Sequence, residues 1–305
     1  MIMKFISIKE ALQKKRGKVE LRGWVYRIRK LKDKIFLVLR DSSDIVQCVI
    51  DIKNKNFKEV DKLLIESSVA LSGEIYKEER APTSYEVKIS ELDVISYAEP
   101  FPIKENPTPE LLLDKRHLWL RSRKMTSILK IRSTVFDAVH DFFRNKGFYE
   151  FQTPILISGA AESGPEMFKV DYFGKEVYLT QTWQFYAEAA LFALEKIYTI
   201  APCFRAEKSK TARHLTEYWH AEVEAAWLNL GELMDLAEEL VKHVIKKVLD
   251  VNKKELELLN RDIKPLESTL KKKFSRITYD EALKLLSKKG LQVKWGKDLR
   301  TIEED

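Results

Sequence analysis

Between residues 18 and 50 apolar and polar positions alternate with a period of two. VELRGWVYRIRK alternates, KIFLVLRD is a β-rich run, and IVQCVIDI follows a DSSD turn. A period of two puts successive side chains on opposite faces of a strand, so three strands are predicted here. KEVDKLLIES then reads as a helix, and VALSGEIYKEE and YEVKISELDVIS add two more strands. Five strands with a helix between the third and fourth is the order of an OB-fold barrel, a fold that binds oligonucleotides on one face.

Four of the nine prolines fall in EPFPIKENPTPE, residues 99–110. Proline opposes helix and sheet and stiffens a chain, so this stretch reads as a linker. The expected division is a barrel domain over 1–98, a linker or hinge over 99–123, and a second domain over 124–305. The second domain opens with helical periodicity over 124–146, closed by Lys146-Gly147. FYEFQTPIL reads as a strand, VDYFGKEVYLTQ as a hairpin around Phe173-Gly174, and TWQFYAEAALFALEK as a helix. IYTIAPCFRAE and YWHAEVEAAWL read as strands joined by the basic loop KSKTARHLT, and residues 230–260 as one long amphipathic helix. The fold class is α+β.

Composition narrows the functional classes. Apolar residues make up 45% and charged ones 33%, the balance of a soluble globular protein. No apolar run reaches the roughly 18–20 residues that a spanning helix needs, so no membrane partner is expected. The first residues lack the apolar stretch and cleavage site of a signal peptide; a cytoplasmic protein is expected. Cys48 and Cys203 stand far apart and form no C-x-x-C pair, so each reads as a small buried hydrophobe. Net charge is +7. More telling, residues 14–40 hold eleven Lys or Arg against Glu20 and Asp33. These cations are interleaved with strand-like apolar positions, as in a sheet that meets a polyanion.

The chain has no Walker P-loop and no G-x-G-x-x-G, so a phosphate site must use side chains. FRAEKSKTARHLTEYWHAEVE, residues 204–224, offers one. Strand alternation is expected to put Arg205 and Glu207 on one face, with Arg213 and His214 in the loop and Tyr218 beyond. Arginine can clamp a phosphate bidentately, a neighbouring glutamate can accept from an adenine amino group, and an aromatic ring can stack on the base.

This stretch resembles motif 2 of the class II aminoacyl-tRNA synthetases, in the form shared by their archaeal-like aspartyl and asparaginyl subfamily. Three further stretches agree. GFYEFQTPIL (147–156) resembles motif 1, with Pro154 at the motif's proline; in the family this element makes the homodimer. LLLDKRHLWLRSRK (111–124) resembles the entry to the core. AAESGPEMFKVDYFGKEVYLTQTWQFYAEA (160–189) resembles the amino-acid-binding loop and the strand and helix after it. The resemblance covers residues 17–304.

The resemblance implies roles residue by residue. Arg205 matches the catalytic arginine that holds the ATP α-phosphate and the substrate carboxylate, and Glu207 the adenine-side acid. Arg213, His214 and Leu215 match ATP-binding loop positions, and Tyr218 the ring that stacks on adenine. Glu162 matches the carboxylate that reaches the substrate α-amino group, and Gln184 the glutamine that orients the substrate. Ser163-Gly164-Pro165 stands where the family usually reads Gly-Gly-Ala, and Pro165 should stiffen that loop. In the barrel, Phe36 matches a ring that stacks on the central anticodon uridine, Gln47 its hydrogen-bonding partner, and Arg29 a basic position before them.

Glu222 separates the two branches. Asparagine presents an amide NH₂ that a carboxylate can accept from, whereas aspartate would bring a like charge to the same place. The resemblance therefore implies ligation of asparagine to its tRNA through an asparaginyl-adenylate, with ATP as substrate and Mg²⁺ as cofactor. Other readings remain: an aspartyl-tRNA synthetase, an asparagine synthetase built on this core, or a non-catalytic tRNA-binding module. The glycine-rich third motif of the family, with its arginine, is not matched up to Asp305, so the class II core is expected to be incomplete and the chain by itself catalytically incomplete. The main Mg²⁺ carboxylate is expected beyond residue 305.

Overall fold

The computed structural model describes residues 4–104, 106–159, 167–207, 214–299 and 303. The chain forms two compact units, Met1–Trp119 and Leu120–Asp305.

The first unit begins with helix α1 (Ile8–Lys14), whose N-terminus is closed by a capping box between Ser7 and Glu10. This pairing satisfies backbone donors that a helix start leaves open. Strands β1 (Gly17–Lys30), β2 (Lys34–Arg40) and β3 (Ile45–Asp51) follow, then a short helix α2 (Phe57–Asp61), then β4 (Ser68–Lys77) and β5 (Tyr85–Ser96). The strands close into a barrel in the order β1-β2-β3-β5-β4, which leaves no free sheet edge. Alternation fills it: Ile35, Leu37 and Leu39 of β2 and Val46, Cys48 and Ile50 of β3 point inward, and Ile8 and Ala11 of α1 join the same core. Gly73 sits at a register shift between β4 and β5, where a Cβ would lie 2.3 Å from the carbonyl oxygen of Lys88.

The proline-rich stretch leads into helices α3 (Pro109–Asp114) and α4 (Arg116–Trp119). These lie inside what the sequence suggested was linker. α3 begins at a Thr108 cap with proline in its first turn, where a missing N–H costs nothing.

The second unit starts with α5 (Arg123–Asn145). Strand β6 (Tyr149–Glu150) and strand β7 (Leu156–Ile157) replace the single strand expected from FYEFQTPIL, and Pro154 is exposed between them. β8 (Lys169–Tyr172) and β9 (Lys175–Leu179) form the expected hairpin; Phe173 and Gly174 both have positive φ, 51° and 80°, as a tight turn between twisted strands requires. Then come α6 (Gln184–Leu194), β10 (Lys196–Phe204) and β11 (Glu217–Ala225). The long helix expected over 230–260 divides at Asn252 into α7 (Leu230–Val251) and α8 (Lys253–Leu258), followed by α9 (Lys264–Lys271) and α10 (Tyr279–Lys288).

β11, β10 and β6 form one sheet; β10 pairs antiparallel with β11 and parallel with β6. One face packs on α5 and α7 through Phe142, Phe143 and Tyr198, with Leu240 and Val244 against them. Tyr198 stacks on Phe143 at 4.9 Å, and its hydroxyl lies 2.8 Å from His140 Nδ1. Lys247 of α7 reaches across to Asp137 and Asp141 of α5. Trp183 is buried among Ala187, Ile197 and Phe151, and its indole N–H donates to the Phe151 carbonyl at 2.8 Å. That bond fixes the corner from which α6 springs.

Candidate functional site

On the barrel, the residues that do not enter the core form a groove. Phe36 stands between two inward-pointing neighbours and is only half-buried, so it belongs to the outer face. Register sets Phe36 beside Arg29 of β1 and Val49 of β3, and Gln47 beside Glu86 of β5. The groove has a volume of about 690 Å³ and is lined by Arg29, Phe36, Gln47, Arg80, Glu86 and Lys88 among others. Glu86 is buried beneath it. One of its oxygens accepts from Gln47 Nε2 and the other from the Tyr76 hydroxyl. Burial, reinforced by that carboxylate, pushes the Tyr76 hydroxyl well above its ordinary range. An aromatic ring, an oriented amide and a rim of cations are the elements of a single-strand nucleic-acid surface.

In the second unit the site lies on β10 and β11. Residues opposite each other in this antiparallel pair share a face: Thr199 with Glu222, Ala201 with His220, and Cys203 with Tyr218. Glu222 leans toward the corner before α6. One oxygen accepts from the Thr182 hydroxyl, and the other accepts from the Trp183 backbone N–H at 3.1 Å. The Gln184 N–H in turn donates to Thr182 Oγ1 at 3.2 Å, and the Gln184 side chain donates to Glu188 at 2.9 Å. Gln184 and Glu222, far apart in sequence, are thus joined through one threonine.

Cys203 is buried beside them, with its thiol 4.0 Å from Glu222. Burial, and then the charge of Glu222, push that thiol up to about 12. His220 Nδ1 lies 3.4 Å from the other Glu222 oxygen. The sequence marks neither Thr182 nor His220 as a site residue, and Cys203 reads from it only as a small buried hydrophobe. A spacing of two does put His220 on the face of Glu222, but nothing local marks Thr182.

Arg205 and Glu207 do not share a strand face, because β10 ends at Phe204. The ladder nevertheless continues for one bond, the Arg205 N–H donating to the Thr216 carbonyl at 3.0 Å. This brings the guanidinium 5.7 Å from the centre of the Tyr218 ring. Arg205 Nε is shielded from solvent with no hydrogen-bond partner among the described residues, an arrangement that costs stability unless a ligand supplies the acceptor. Glu207, His214 and Leu215 are exposed, Leu215 to 65%. Arg213 and Glu162, with Ser163-Gly164-Pro165, lie outside the described residues.

Two family models cover most of the chain. Residues 19–95 match the OB-fold nucleic acid binding domain and residues 108–303 the class II tRNA synthetases of the D, K and N group. The asparagine–tRNA ligase of Thermoplasma acidophilum is 47% identical over 291 residues, 94% of this chain and 68% of that protein. The enzyme of the same name from Thermococcus gammatolerans is 45% identical over 98% of this chain and 69% of its own length. The chain belongs to the asparaginyl-tRNA synthetase family. A solved asparaginyl-tRNA synthetase, that of Pyrococcus horikoshii complexed with asparaginyl-adenylate, superposes with a TM-score of 0.92 at 43% identity; the match covers all of this chain and 71% of the other. Membership in the asparaginyl-tRNA synthetase family accounts for a barrel and a class II core on one chain.

Proposed function

We infer that this protein ligates asparagine to its tRNA in two steps, with ATP as the activating substrate. The asparagine carboxylate attacks the α-phosphorus, the bond to pyrophosphate breaks, and asparaginyl-adenylate forms. The terminal ribose hydroxyl of the tRNA then attacks the activated carbonyl and releases AMP. Such chemistry depends on positioning and charge neutralisation more than on a dedicated base.

The observation that carries the asparagine reading is the anchored carboxylate of Glu222. With one oxygen bonded to Thr182 and the other to Trp183, it is held as a fixed acceptor with lone pairs to spare. An asparagine amide donates to it; an aspartate carboxylate would be repelled. In the same reading Arg205 takes the α-phosphate and substrate carboxylate through its unpartnered Nε side, Tyr218 stacks on adenine, and Gln184 orients the substrate. Glu207, Arg213, His214 and Leu215 border the nucleotide, and Glu162 meets the α-amino group. Arg29, Phe36 and Gln47 take the anticodon, and the segment around Pro154 makes a homodimer in the cytoplasm.

Mg²⁺ belongs to this reading as a companion of the nucleotide. Among the described residues the group of three ligand side chains that converge includes a thiol and an imidazole, whereas Mg²⁺ takes oxygen ligands. These residues do not fit it.

Pyrophosphate exchange measured with asparagine and with aspartate in a completed enzyme tests the assignment. Glu222→Gln should lose about 2–4 kcal/mol of preference for asparagine. Unchanged selectivity would overturn the role given to Glu222.

A further inference from the structure

His220 and Glu222 stand two apart on β11, and Cys203 comes from β10 beside them. The Cys203 sulfur, His220 Nδ1 and a Glu222 carboxylate oxygen all lie within 4.8 Å of one another. Nδ1 is shielded from solvent and makes no hydrogen bond among the described residues, although it is 3.4 Å from Glu222 Oε1. Its geometry toward that oxygen is therefore close without being a hydrogen bond.

Two ligands of a tetrahedral zinc ion, at bonds of about 2.0–2.1 Å, stand roughly 3.4 Å apart, and a sulfur and an oxygen ligand about 3.6 Å. His220 Nδ1 already stands at that distance from Glu222 Oε1, and the Cys203 sulfur stands 4.0 Å from the other oxygen, Oε2, so the carboxylate presents one oxygen to each of the other two ligands. Thiolate, imidazole and carboxylate together suit a borderline-soft cation. The Glu222 carboxylate is also held by Thr182 and Trp183, as metal-ligating carboxylates usually are by outer hydrogen bonds. Ala201, opposite His220, adds only a methyl group to the face between them.

We propose that Cys203, His220 and Glu222 form a binding site for Zn²⁺ or a cation of similar softness, and that metal bound there blocks the use of asparagine. On binding, the zinc–sulfur bond forms and the thiol proton leaves to solvent. Three protein ligands leave the fourth position to water. The metal then occupies the carboxylate that would accept from the asparagine amide. This second half rests on the reading of Glu222 given above; the metal site itself does not.

Co²⁺ added to the full chain gives the test, because a thiolate ligand produces a near-ultraviolet charge-transfer band and tetrahedral coordination intensifies the visible bands. The parent and Cys48→Ser should show both. Cys203→Ser and His220→Ala should each weaken binding by about 100-fold, with far-ultraviolet circular dichroism identifying whichever of the two stays folded. Absence of the band in the parent, or its survival in a folded Cys203→Ser or its loss in Cys48→Ser, overturns the site. In pyrophosphate exchange by a completed enzyme, Zn²⁺ should raise the apparent KM for asparagine at least tenfold in the parent. Cys203→Ser should keep the parental activity without metal and resist the zinc. A cobalt band without such competition upholds the metal site and overturns its inhibitory role, while the selectivity of Glu222→Gln decides separately whether Glu222 meets the asparagine amide.

Discussion

The hydroxyl of Thr182 donates to one oxygen of Glu222, forty residues further along the chain. Because the same hydroxyl oxygen accepts from the Gln184 N–H at 3.2 Å, a single side chain fixes both the carboxylate and the first turn of α6. Thr182→Val keeps the shape and removes the donor, leaving a partly buried carboxylate oxygen short of a partner. The loss should be about 1–3 kcal/mol, read as a rise in KM for asparagine in pyrophosphate exchange by a completed enzyme. Thr182→Ser should restore most of it. Parental kinetics in the valine variant would show that the Trp183 N–H alone holds Glu222.

Phe36→Ala probes the barrel. The ring lies on the outer face between Arg29 and Val49 and outside the apolar core, so its removal should leave the barrel folded. Affinity for the cognate tRNA should fall by about 1–3 kcal/mol, the usual worth of one stacked base, while adenylate formation without tRNA stays unchanged. Filter binding at two salt concentrations measures it. Equal affinity in parent and variant would mean that no base stacks there.

Gly73 carries a steric prediction. A Cβ at this position would meet the Lys88 carbonyl at 2.3 Å and a Val87 methyl at 2.8 Å, and a backbone carbonyl in a closed barrel has little room to yield. Gly73→Ala should destabilise the barrel by about 1–3 kcal/mol, seen as faster amide hydrogen exchange in β4 and β5. Unaltered exchange would show that the register shift absorbs the methyl group.

The α5–α7 contact carries the pH dependence. The hydrogen bond from Lys247 is the main cause that holds the Asp141 carboxyl below its ordinary value of 3.8. A depressed folded value means that the stabilisation is present above 3.8 and lost as pH falls through the depressed value. Asp141→Asn should melt below the parent at neutral pH, and the two melting temperatures should converge in acid. A gap that persists at low pH would assign the effect to packing instead of charge.

The barrel was legible because each strand has one covered and one open face, so alternation survives in the sequence. β5 was read to the residue. Helix α1 was not read, since seven residues give too little period, although Ser7 and Glu10 spell its cap. The motif 1 strand was overread: Pro154 has no N–H to give a ladder, and only two short pairings remain on either side. The long helix was overread as well, because its charge pattern runs on past the break at Asn252. For the candidate site, Arg205, Tyr218, Gln184 and Glu222 were legible as residue types in an ordered motif. Their assumed geometry was less so, because strand periodicity was carried past Phe204 to Glu207. Thr182, which links two of them, has no sequence signal; its contact exists only when the corner after β9 meets β11.

The bond between Gln47 and Glu86 decides which end of an amide the groove displays. With its NH₂ drawn down to a buried carboxylate, Gln47 has its carbonyl oxygen left to offer. A carbonyl oxygen can only accept. A base that meets this oxygen through its ring nitrogen beside Phe36 would therefore need an N–H there, which uracil has and cytosine lacks. A methyl placed on that nitrogen would abolish the match without touching the stack. The carboxylate beneath, which meets no nucleotide itself, would then be what separates one pyrimidine from the other.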